Sequence, residues 1–222
     1  MAELPQNFKM LASIYPRRID LGMARALVPP EVSRYLVRGE HANTEADWEA
    51  SVKELVAFVR EDDPAKGLIE NMVVPPHGTA LPELWMLGTS GHSMDQAVSE
   101  ECNYCISFMH PRSDYLKNRD VLKRFRDKFF NRHGRLPGTA VLISCCWNDG
   151  SDESEILNRR YLNICDANLF DHEHAIAEKL YKLSKTLEND EFILFNPLVD
   201  RNRRIESYQR ISDLFIPGKI PV

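Results

Sequence analysis

Short apolar runs alternate along this chain with longer stretches whose apolar residues recur every three or four positions. This alternation limits the fold more than any other feature. Five runs have strand character, at residues 18–25, 83–88, 104–109, 138–147 and 191–196. The second, ELWMLG, is apolar on both sides of the pleat, the mark of a strand buried in a parallel sheet. The segments between them read as helices. Thr44 can cap one over residues 45–61, where Trp48, Val52, Leu55, Val56 and Val59 fall at helical spacing. Pro29-Pro30 separates it from the first run, and a Pro/Gly-containing stretch follows over residues 62–82. Ser93 can cap a short helix reaching residue 102, with Gln96 completing a capping box. Asp114 opens a basic helix to about residue 132. Ser151 and Asp152 open another, Asp171 opens one reaching residue 187, and residues 203–215 form the last.

Strand then helix, five times over, predicts an α/β fold with a parallel sheet, right-handed crossovers and flanking helices. A (β/α)8 barrel and an open doubly wound sheet share this signature, and both place their sites at the C-terminal strand ends. Those ends carry Ala24, Arg25 and Leu27, then Gly88 to Ser93, Met109 and His110, Trp147 and Asn148, and Asn196. Composition narrows the partners. With 28 basic and 33 acidic residues the formal charge is −5, so the basic excess expected of a nucleic-acid binder is missing. No apolar stretch has the length of a membrane helix, and the first residues do not follow the pattern of a secretory leader. A single domain over residues 1–222, in the cytoplasm, is the expectation.

The five cysteines, at 102, 105, 145, 146 and 165, fit no secreted disulfide framework. Cys102 and Cys105 have the spacing of a metal or redox pair but lack a second pair, and they read as small buried hydrophobes. The run Asp171, His172, Glu173, His174 reads as a helix start with Asp171 at the cap. No metal site is expected.

The most informative local feature is the turn Gly88-Thr89-Ser90-Gly91-His92-Ser93 between a buried strand and a helix. Small residues let backbone approach a ligand. The first amides of a helix have no intrahelical acceptor and carry partial positive charge. Hydroxyls at Thr89, Ser90 and Ser93 add donors, so the turn suits a phosphate, although a Gly-rich turn with a serine cap reads the same way. It has neither the lysine of a P-loop nor the GxGxxG of a dinucleotide fold. Arg25, at another strand end, can supply a charged fork to the same anion.

Three segments together resemble the bacterial luciferase-like flavin-dependent monooxygenases: residues 8–26 (FKMLASIYPRRIDLGMARA), 82–93 (PELWMLGTSGHS) and 190–208 (DEFILFNPLVDRNRRIESY). They occur in family order. The resemblance implies an incomplete TIM-barrel-like arrangement, about five of eight (β/α) units, binding FMN at the C-terminal face. Arg25 and the backbone at Leu27 are then implied in the phosphate site, with Thr89, Ser90, Gly91, His92 and Ser93 completing it. Ala24 stands where some members have Cys, and His92 where others have Tyr or Ser, so the backbone of His92 is the expected donor.

The resemblance places the chain's beginning just before the family's fourth strand. Five units do not close an eight-stranded barrel, so a homodimer or a partner chain completing the sheet is expected. The implied activity is oxidation of a small organic substrate with reduced FMN and O2, the reduced flavin coming from a flavin reductase. His110 is the candidate proton donor because an imidazole titrates near neutrality. Trp147, Asn148 and Asn196 are candidate pocket residues. A non-catalytic flavin-binding or interaction protein derived from the same family is the alternative.

Overall fold

The computed structural model describes residues 3–25, 45–61, 73–89, 91–109, 115–162 and 168–215. They form two compact units, Met1–Gly88 with His92–Asn103, and Thr89–Gly91 with Tyr104–Val222.

The first unit holds α1 (Glu3–Ile14), β1 (Asp20–Ala24), α2 (Glu45–Arg60), β2 (Glu83–Gly88) and most of α3 (Gly91–Ser99). β1 and β2 pair in parallel, from Asp20 opposite Glu83 to Ala24 opposite Leu87. Partners across a parallel pair share a face. One face carries Leu21, Met23, Leu84 and Met86, all buried. The other carries Asp20, Gly22 and Ala24, all exposed, beside Glu83, Trp85 and Leu87. In α2, Val52, Leu55, Val56 and Val59 are buried as their spacing predicts, and α1 packs beside this helix. Sequence periodicity did not reveal α1, whose exposed Leu4, Met10, Leu11 and Ile14 blur its apolar stripe.

The second unit holds β3 (Asn103–Ser107, from Tyr104 on), α4 (Tyr115–His133), β4 (Thr139–Trp147), α5 (Asp152–Leu162), β5 (Leu169–Asp171), α6 (Glu173–Leu187), β6 (Phe192–Phe195) and α7 (Arg201–Asp213). β4 is its spine. It pairs in parallel with β3 over Thr139 to Leu142, with β6 over Val141 to Ser144 and with β5 over Cys145 to Trp147. The core is aromatic and aliphatic: Tyr104 and Phe125 lie 5.2 Å apart between ring centroids, and Phe125 and Phe129 lie 5.6 Å apart. In α6, Ile176, Leu180, Leu183 and Leu187 form a stripe every three or four residues.

All five expected strands are present, and every pairing described within a unit is parallel. Three local readings need correction. β5 is a sixth strand, and three residues are too few to show a period of two. Because β5 ends at Asp171, the α6 cap moves to His172, whose Nδ1 accepts the Ala175 amide at 3.3 Å. α3 begins at Gly91, so Ser93 lies in its first turn, and Gln96 accepts from Trp48 instead of closing a capping box.

Candidate functional site

The register of β1 against β2 sets the geometry of the first unit's strand tips. Ala24 lies opposite Leu87 as the last pair of the register; Arg25 follows β1 in sequence, and Gly88 closes β2. Beyond Gly88 the chain passes through exposed Thr89 and enters α3 at Gly91. The first turn of α3 has no acidic residue. A Cβ built on Gly91 would meet nothing within 4 Å, so the helix start is open to approach. Arg25 is half-buried and Ser93 partly buried. Leu27, Ser90 and His110, three of the predicted site residues, lie outside the described residues.

The imidazole of His92 is used elsewhere. Its Nε2 lies 2.8 Å from Oε1 of Glu49 on α2, with both side chains about half exposed. One turn further along α3, Gln96 Oε1 accepts the Trp48 indole N–H at 3.1 Å. Past the end of α3, Arg60 donates to the carbonyls of Glu100 at 2.7 Å and Glu101 at 2.8 Å. His92, Gln96 and Glu100 are spaced by four and share one face, so three polar contacts clamp α2 alongside α3. The last satisfies carbonyls that a helix end leaves without intrahelical donors. Sequence reasoning missed Glu49, because its partner is 43 positions away and no local pattern links them.

In the second unit the strand-end residues serve the fold. The Trp147 amide donates to Ser207 Oγ at 3.0 Å, and the Arg210 guanidinium sits 3.9 Å from the Trp147 ring centroid. Asn196 Nδ2 donates to the same Ser207 at 2.8 Å, while Asn196 Oδ1 accepts the Leu198 amide at 3.0 Å. Tyr208 Oη accepts the Asn196 amide and donates to the Leu194 carbonyl. Asn148 Oδ1 accepts the Gly150 amide at 2.9 Å, shaping the turn after β4. These bonds show that polar groups of Trp147, Asn148 and Asn196 are engaged within the fold.

Asp149 in that turn is the strongest electrostatic feature. Burial acts to raise its pKa. Hydrogen bonds from Ser151, Ser154 and Arg203 outweigh that effect and hold the carboxyl far below the usual carboxylate range. Arg203, in the first turn of α7, also pairs with Glu153 of α5. The cysteines behave oppositely. Burial raises the thiols of Cys102 and Cys146 to about 11 and those of Cys105 and Cys145 to about 12. Such thiols are packing groups rather than nucleophiles or ligands. Among the described residues no group of three or more His, Cys, Asp and Glu could hold a metal, and no helix is long and apolar enough to cross a membrane.

Parallel β/α units with a glycine-containing turn between a strand and a helix are shared by many α/β folds that take their ligands at the C-terminal strand ends. Comparison with known proteins narrows the class. No protein-family model matches the chain. It is 24% identical over 156 residues to the uncharacterised Bacillus subtilis protein YwcH, covering 70% of this chain and 46% of YwcH. It is 22% identical to the N-acetyl-S-alkylcysteine monooxygenase of Bacillus subtilis, covering 98% of this chain and 74% of the relative. Among solved structures, the monooxygenase RslO1 from Streptomyces bottropensis superposes with a TM-score of 0.73 at 13% identity, covering 99% of this chain and 74% of that one. The oxygenating constituent of 3,6-diketocamphane monooxygenase from Pseudomonas putida, in complex with FMN, gives 0.61 at 18% identity, covering 100% and 76%. The chain thus spans less than half of YwcH and about three quarters of the others. Its fold is that of the luciferase-like flavin-dependent monooxygenases, the group its three sequence segments resemble.

Proposed function

We propose that this protein is a flavin-dependent oxidoreductase of the luciferase-like kind. In this reading it binds FMN at the first unit's strand tips and acts on a small organic substrate. What supports the reading is that β1 and β2 pair in parallel up to Ala24 and Leu87, that Arg25 comes next in sequence after β1, and that the first turn of the helix following β2 has no acidic residue.

The residues present fit a phosphate. A guanidinium offers a planar fork to two oxygens of a dianion. In this reading amides at Gly91, His92 and Ser93, with hydroxyls at Thr89 and Ser93, supply the remaining donors; Ser90 and the backbone of Leu27, outside the described residues, join them only on the family resemblance. The exposed small residues Gly22 and Ala24 leave room beside β1 for the ring system of the same ligand. When bound and reduced, FMN would supply the electrons that activate O2 for transfer of one oxygen atom to the substrate. The protein's part is to hold the phosphate, fix the ring against the strand face and limit the access of water. His110, which follows β3 in sequence, carries the proton-donor role in this proposal. Reduced flavin would come from a separate reductase. The FMN complex of the diketocamphane enzyme, on the same fold, supports the choice of cofactor.

The test is titration of the purified protein with FMN and with riboflavin, which lacks the phosphate. FMN should bind more tightly than riboflavin, and Arg25→Ala should weaken FMN by ~1–3 kcal/mol through the lost charge-assisted bonds while sparing riboflavin. Equal affinity for both flavins, or an FMN affinity indifferent to Arg25, refutes the phosphate site. Aerobic consumption of reduced FMN that rises with substrate supports an enzyme. Tight binding without such turnover supports the non-catalytic binder.

A further inference from the structure

Trp85 lies in the middle of β2, opposite Gly22 of β1. The residue as a whole is partly buried, yet its indole nitrogen is buried and has no hydrogen-bond partner. Trp48, the other tryptophan of this unit, donates its indole N–H to Gln96 at 3.1 Å. A buried donor left unmade costs about as much as a lost hydrogen bond, so native structures rarely keep one without a reason.

The surroundings favour a ligand over a water molecule. Toward the strand tips the face that carries Trp85 continues with Ala24 and Leu87, which offer no side-chain donor or acceptor. A resident water needs two to four polar partners, and this part of the face supplies only the indole. The cross-strand neighbour is an exposed glycine, and a Cβ built there meets nothing within 4 Å. Among the described residues the result is an apolar ledge with one unused donor, two residues below Leu87 and three below Gly88. A planar ring with an acceptor on its edge matches that chemistry. A half-buried indole can turn its N–H edge toward such an acceptor by a small side-chain rotation.

We infer that Trp85 positions the ring of the bound flavin, its indole N–H donating to a carbonyl oxygen or ring nitrogen of that ring. This rests on the flavin reading above and adds a residue to it. Arg25 and the α3 amides grip the phosphate at the tip, and Trp85 fixes the ring against β2 below.

The experiment uses the full chain labelled with 15N at its three tryptophans, with the indole resonances assigned by single Trp→Phe substitutions. Riboflavin and FMN are the probes. Saturation with either flavin should move the Trp85 indole proton downfield and leave the Trp48 indole in place. Trp85→Phe should weaken riboflavin and FMN by the same factor, about fivefold to tenfold for one neutral hydrogen bond, whereas Arg25→Ala should weaken FMN alone. If wild type binds flavin, the Trp85 indole does not shift and Trp85→Phe binds unchanged, the inference fails while the flavin reading stands. If wild type binds neither flavin, both fail. Should Trp85→Phe not fold, the wild-type indole shift decides.

Discussion

Replacing Arg203 with alanine is the sharpest test of how the second unit holds its strand ends together. The guanidinium reaches Asp149 Oδ2 from Nη2 at 2.6 Å and from Nε at 3.1 Å, and pairs with Glu153 through Nη1. The three side chains are 29%, 23% and 34% exposed, so water screens them only in part. A charge-assisted bond of this kind is worth roughly 1.5–3 kcal/mol when well shielded. Partial exposure discounts the sum, and removal leaves two carboxylates facing each other. Arg203→Ala should therefore cost about 2–3 kcal/mol, and Arg203→Lys, which keeps the charge and loses the fork, about half that. Urea unfolding followed by far-UV circular dichroism measures both.

The pH dependence has a definite sign. Asp149 is held below its unfolded value, so the stability it contributes is full above the ordinary carboxylate range and is lost as pH falls toward its depressed folded value. The alanine variant keeps the Ser151 and Ser154 bonds that depress Asp149 most and loses the smaller share due to Arg203. The gap between wild type and variant should thus be constant near neutrality and begin to narrow below about pH 4. A variant within about 0.5 kcal/mol of wild type at neutral pH, or a gap unchanged from neutrality to about pH 3, refutes the reasoning.

Three further outcomes follow from the same contacts. Glu49→Gln removes a negative charge that the 2.8 Å contact with His92 holds beside the start of α3. FMN should bind severalfold more tightly at low salt, the gain should shrink as salt rises, and riboflavin should be unaffected. Cys105 and Cys145, raised to about 12 by burial, should resist a thiol reagent at mildly alkaline pH in the native protein and react at once in denaturant. Peptide mapping by mass spectrometry reads the sites. Arg60→Ala removes the guanidinium donors from the carbonyls of Glu100 and Glu101 and should destabilise by ~0.5–1 kcal/mol. Faster amide exchange in the last turn of α3 reports the same loss.

The main strands were legible because each is a run of apolar residues bounded by turn chemistry, and helices such as α2 and α6 because their stripes repeat at 3.6. What failed to show was whatever depends on tertiary placement. The clamp from Glu49 and Arg60 on α2 to His92, Glu100 and Glu101 joins residues some forty positions apart, and only parallel β/α packing brings them together. The corrected caps at Gly91 and His172 have the same origin. A three-residue strand ending at Asp171 fixed one boundary, and the early start of α3 put Ser93 inside the helix.

The pocket residues expected in the second unit, Trp147, Asn148 and Asn196, came from strand-end reasoning alone. It treats every C-terminal tip as a candidate site, yet tips differ in whether their polar groups are already spent. In the second unit, Ser207 alone receives bonds from the Trp147 amide and the Asn196 side chain, Tyr208 takes the Asn196 amide, and Arg203 ties the β4 turn to α5. A ligand there would have to displace bonds already made. In the first unit the strands carry the small residues Gly22, Ala24 and Gly88 toward their tips, with the Trp85 indole N–H unused on the same two strands. The small residues at the first unit's tips, beside an indole N–H without a hydrogen-bond partner, are the features on which the proposed ligand site rests, because an unsatisfied buried donor gains free energy when an acceptor arrives whereas a satisfied one must first lose a bond.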